Sequence, residues 1–82
     1  MATVAVENYL KHVLLLSESG EDLVSMGDLA GALAVVPGTA TAMVKALADE
    51  GLLEHQPRLG VRLTSRGRRI ALNVLRKHRL VE

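Results

Sequence analysis

Two short apolar stripes separated by one proline-containing turn constrain this chain more than any other feature. Met26, Leu29, Ala30 and Leu33 recur at helical spacing, and after Val36-Pro37-Gly38-Thr39 the pattern restarts as Ala40, Met43, Val44 and Leu47. Ser25 stands where an N-cap hydroxyl would accept one of the first unpaired N–H groups of a helix. Proline is tolerated in the first turn, where its missing N–H would have had no partner, so the second helix starts around Pro37. Gly51, after Asp49-Glu50, is its stop. Two short helices joined by three or four residues make a helix-turn-helix pattern. The outward face of the second carries Gly38, Thr41, Ala42 and Lys45, small or polar groups with one cation, which would let it enter a groove without obstruction.

The flanking segments extend the pattern. From about Ala5 to Ser17, Val6, Leu10, Val13 and Leu14 form an amphipathic first helix, and Ser19-Gly20-Glu21-Asp22 breaks it. Leu52 to Gln56 and Val61 to Leu63 read as two short strands joined through Pro57, Arg58, Leu59 and Gly60, a basic hairpin directly after the helix-turn-helix. Arg58 and Arg62 are expected near its tip. Thr64-Ser65 then offers an N-cap for a last helix that runs to the end. Tyr9 is the only aromatic residue, so the core must be aliphatic, a palette that suits small interlocking helices. The expected fold is mainly α: one winged helix-turn-helix domain over residues 1–82, with a three-helix bundle, a two-stranded β-wing and a C-terminal helix.

Charge divides along the chain. Residues 1–50 hold seven acids and two lysines, whereas residues 51–82 hold eight cations and two acids. Six of those cations fall between Arg66 and Arg79. Arginine is shaped for bidentate phosphate contact, and a polyanion is the natural partner. With Tyr9 as the only ring to stack on bases, double-stranded DNA is expected rather than a single strand. The alternative is a winged helix that docks a protein partner through its aliphatic first and last helices; a salt titration separates the two, because only the arginine-phosphate mode weakens steeply with salt. There is no nucleophile-and-base arrangement around His12, His55 or His78 and no glycine-rich phosphate loop, so an enzyme is not expected. With no cysteine, no signal architecture and no apolar run near the roughly 20 residues a membrane span needs, the chain is placed in the cytoplasm.

Glu7-Asn8-Tyr9-Leu10, Ala34-Val35-Val36-Pro37-Gly38-Thr39 to Met43-Val44, Leu63-Thr64-Ser65-Arg66-Gly67 and Arg76-Lys77-His78-Arg79-Leu80-Val81-Glu82 together resemble the iron- and manganese-dependent repressors related to the diphtheria toxin repressor and the manganese transport regulator. The resemblance covers the whole chain. It implies a transcription repressor that reads double-stranded DNA through Pro37, Gly38, Thr39, Thr41, Ala42 and Lys45, with Arg58, Arg62, Arg66, Arg68 and Arg69 on the phosphates. It also implies a divalent ion, Fe2+ or Mn2+, linking the first helix to the last, and a homodimer on an inverted repeat. His78 and Glu82 match the ligand pattern in the last helix, and their i, i+4 spacing puts an imidazole and a carboxylate on one face. In the first helix the ligand position before the tyrosine falls on Asn8, a neutral amide. The position three residues later falls on Lys11, which cannot coordinate while protonated. An incomplete metal site is therefore expected. The chain ends at Glu82, inside what family members continue as a helix, so a monomer or weak dimer is expected of it; the expected function stays a metal-dependent repressor, with a metal-independent DNA-binding regulator as the alternative.

Overall fold

The computed structural model describes residues 4–17 and 22–81, without the side chains of 78–81. The elements are α1 (Val4–Leu16), α2 (Met26–Leu33), α3 (Pro37–Asp49), β1 (Leu53–Gln56), β2 (Gly60–Leu63) and α4 (Ser65–Val81). The expected order of elements is found, with helix and strand ends displaced by a residue. Tyr9, Leu10 and Val13 of α1 meet Leu29 and Ala30 of α2, Ala40, Val44 and Leu47 of α3, and Ala71 of α4 in one buried cluster. Small residues let the helices approach closely, so the core needs no aromatic beyond Tyr9.

Both ends of α2 are fixed locally. The Asp28 N–H donates to the Ser25 hydroxyl at 3.0 Å, the expected N-cap. At the other end Ala34 adopts φ 57, ψ 42, and Val35 N–H donates to the Ala30 carbonyl at 3.1 Å. The same closure follows α3, where Gly51 has φ 78 and Leu52 N–H reaches the Leu47 carbonyl at 3.0 Å. Glycine adopts this left-handed conformation freely; alanine does so at a cost of about 1 kcal/mol. Three residues separate the helices, and their axes turn through 107°, the geometry of a helix-turn-helix.

The wing is an antiparallel pair in the register Leu53 to Leu63, Glu54 to Arg62, His55 to Val61 and Gln56 to Gly60. Its root is fastened to the bundle by Val24, which exchanges two backbone hydrogen bonds with Val61 at 2.7 and 2.9 Å. Gly60 lies at φ 133, and a Cβ there would overlap the Val24 carbonyl, so the close approach requires glycine. Among the described residues no single helix is long and apolar enough to cross a membrane.

Candidate nucleic-acid interface

The candidate surface begins with how α3 is held. Ala40, Val44 and Leu47 are buried, which turns the opposite side of the helix to solvent. Gly38, Thr39, Ala42 and Lys45 are exposed there, while Thr41 is half-buried at the edge, not in the middle of the face where its sequence position suggests. The reason is that Thr41 follows Ala40 and lies three residues before Val44, which places it at the edge of the buried stripe. Gly38, Thr39, Ala42, Met43 and Ala46 line a shallow open concavity of about 550 Å³. Val36, just before Pro37, is 67% exposed beside it. Ala46 and Val36 extend the face beyond the residues read from sequence; the signal was their spacing from Thr39 and Ala42.

The basic residues divide into distinct environments. At the wing tip Leu59 N–H donates to the Gln56 carbonyl at 3.0 Å, closing a β-turn through Pro57 and Arg58. Arg58 holds φ 70 at the third turn position, a conformation that favours glycine. Its exposed guanidinium is therefore carried at the apex on strained backbone. Arg62 is not at the tip. The register sets it two pairs below the turn, opposite Glu54, and its Nε and Nη2 donate to the two carboxylate oxygens at 3.0 and 3.2 Å. That fork, with a further hydrogen bond from Gln56, holds the Glu54 carboxyl below its ordinary value.

At the start of α4 the Thr64 hydroxyl accepts from Gly67 N–H at 3.1 Å, so Thr64 is the N-cap. Arg66 reaches back to the Glu50 carbonyl at the C-terminal end of α3, 3.4 Å away, a favourable place for a cation. Arg66 thus also braces the end of α3. Arg68 and Arg69 are exposed on the following turn.

The α1–α4 junction bears on metal binding. Lys77 pairs with Glu7 at 3.8 Å across a crevice lined also by Ile70, Asn73 and Val74. His12 Nδ1 donates to the Asn8 backbone carbonyl at 2.8 Å. Asn8 offers only an amide oxygen, Lys11 an ammonium, and the one carboxylate of α1 already faces a lysine, a donor set that does not fit a divalent transition ion. Among the described residues no three His, Asp or Glu side chains come together in a way that could hold a metal. The expected ligands His78 (its side chain) and Glu82 lie outside the described residues.

Comparison with known proteins agrees with this architecture. The family described as iron dependent repressor, N-terminal DNA binding domain, matches residues 1–61. The HTH-type transcriptional regulator MntR of Bacillus subtilis is 36% identical over the whole chain, which spans 57% of that relative's length. Among solved structures, ScaR with bound Zn2+ superposes with a TM-score of 0.76 at 32% identity, covering 94% of this chain and 35% of ScaR. The IdeR of T. acidophilum gives 0.77 at 30% identity, covering 96% of this chain and 37% of IdeR. The fold is a winged helix, and the chain belongs to the iron-dependent repressor N-terminal DNA-binding domain family.

Proposed function

We propose that this domain is the DNA-reading head of a metal-dependent transcription repressor, binding double-stranded DNA with α3 in the major groove. The observation that carries this reading is the exposed, unobstructed outer face of α3, held by a 107° turn and flanked by the wing. Pro37, Gly38, Thr39, Ala42 and Lys45 face the base edges, with Thr41 at the margin. Arg58 at the wing apex and Arg68 and Arg69 on α4 hold phosphates; Arg62 and Arg66 do so only by exchanging or sharing their present carboxylate and carbonyl partners.

The iron or manganese requirement of the family is assigned to the intact regulator. Asn8, His78 and Glu82 are the positions at which this chain would contribute, and α1 alone does not supply a site. A homodimer of the intact regulator would set two such heads on an inverted repeat. The test is selection of duplexes from a random pool, followed by affinity measurements across a salt series with and without Mn2+. Enriched binding that weakens steeply with salt is expected. Negligible binding at low salt would sink the DNA reading and leave the protein-docking alternative.

A further inference from the structure

The wing carries an acid where a duplex-binding surface would be expected to carry none. Arg62 Nε donates to Glu54 Oε2 at 3.0 Å and Arg62 Nη2 to Glu54 Oε1 at 3.2 Å, while Gln56 Nε2 donates to the same Oε1 at 3.1 Å. Strand register explains the arrangement: Glu54 and Arg62 lie directly opposite each other, and Gln56 follows Glu54 by two on the same face of β1. The carboxylate is thus held from both strands, and these bonds favour its ionised form.

The fold of the wing does not depend on this acid. Leu53 and Val61 are buried on the opposite face, and the backbone hydrogen bonds between Val24 and Val61 fasten the hairpin to the bundle. The Glu54 and Arg62 side chains are 48% and 39% exposed, and an exposed ion pair adds little to stability. Residues 51–82 hold two acids against eight cations, and Glu54 is the one placed in the wing. Arg58 at the wing apex, by contrast, pairs with no acid among the described residues. A carboxylate beside Arg62 opposes a duplex in two ways. It competes with phosphate oxygens for the same guanidinium N–H groups, and it repels any phosphate that displaces it.

We infer that Glu54 is an affinity-limiting residue, which withholds Arg62 from the DNA backbone and thereby lowers the affinity of a single domain for every duplex, whatever its sequence. The inference rests on the DNA-binding reading above and concerns how strongly that surface binds, not which bases it reads. Phosphates carry no sequence, so the effect is uniform. A head of limited affinity spends less time on unmatched DNA and depends more on a second head joined to it for lasting occupancy.

The test measures this chain across a salt series, on the duplex it selects and on an unrelated duplex of equal length. Glu54→Gln keeps the shape of the side chain and removes its charge. Affinity at low salt is expected to rise about fivefold on both duplexes, the upper end of what an exposed ion pair withholds. The slope of log affinity against log salt should steepen by about one unit, that of one added phosphate contact. Adding Arg62→Gln to Glu54→Gln should return both quantities to those of the parent. Both positions are on the outer face of the wing, so each variant is expected to fold, which circular dichroism checks. Unchanged affinity and slope in Glu54→Gln overturn the inference. A gain that survives Arg62→Gln overturns it too, because Glu54 would then act by repelling phosphates and not by holding Arg62. A gain confined to the selected duplex does so as well, since the pair would then read sequence. All three results leave DNA binding itself standing, whereas a chain that binds no duplex at low salt removes both readings.

Discussion

The Thr64 hydroxyl donates to the Gly51 carbonyl at 2.7 Å, tying the first turn of α4 to the residue that ends the recognition helix. The same oxygen accepts from Gly67 N–H, and Thr64 N–H donates to the Leu52 carbonyl at 3.2 Å. One side chain therefore caps a helix and fixes the relative placement of α3 and α4, two elements of the proposed DNA-binding surface. Thr64→Val keeps the shape and removes both side-chain bonds. It is expected to lower unfolding free energy by about 1–2 kcal/mol, read from urea denaturation.

Gly67 sits where a Cβ would overlap the Leu52 carbonyl oxygen, although nothing about its backbone angles demands glycine. Gly67→Ala should cost about 1–3 kcal/mol because backbone, not a flexible side chain, must move. Gly31 in α2 has open space around it, so Gly31→Ala should stabilise by about 0.5–1 kcal/mol. Opposite shifts in melting temperature are expected; equal ones would contradict the packing described.

Arg58 combines strain with charge. Arg58→Gly relieves a positive φ and should raise stability by about 1 kcal/mol. The same change should weaken duplex binding across sequences and reduce the slope of log affinity against log salt by about one unit. A variant that is more stable and binds with an unchanged salt slope would remove Arg58 from the interface.

Glu54 is held below its ordinary value, first by the Arg62 hydrogen bonds and then by Gln56. Because the folded value is the lower one, the contribution to wing stability is present above the unfolded-state value and is lost as pH falls through the folded one. Carboxyl-carbon NMR titration should place Glu54 below an unperturbed glutamate, and Arg62→Ala should return it upward. The site is exposed, so added salt should shrink the difference.

The sequence determined the local parts of this domain. Hydrophobic periodicity located α1, α2 and α3 and the cap signal at Thr64-Ser65 the start of α4; Ser25 and Thr64 were legible as caps because their partners lie three residues away, and Gly51 marked the end of α3 because only its own helix needed closing. The outward composition of α3 was legible in part: Gly38, Ala42 and Lys45 are exposed as expected, whereas Thr41 is half-buried, Ala46 joins the outer face, and Met43, expected on the inward stripe, is half-buried and lines the outer concavity. Tertiary structure decided what depends on partners distant in the chain. Val24 fastening the wing through Val61, the Leu52 carbonyl that excludes a side chain at Gly67, the Lys77 ammonium facing Glu7 and the Glu50 carbonyl receiving Arg66 are set by packing between elements, which no local pattern encodes. Arg62 shows the division within one hairpin: its charge was visible in the sequence, but only strand register chose Glu54 as its partner and moved it away from the tip.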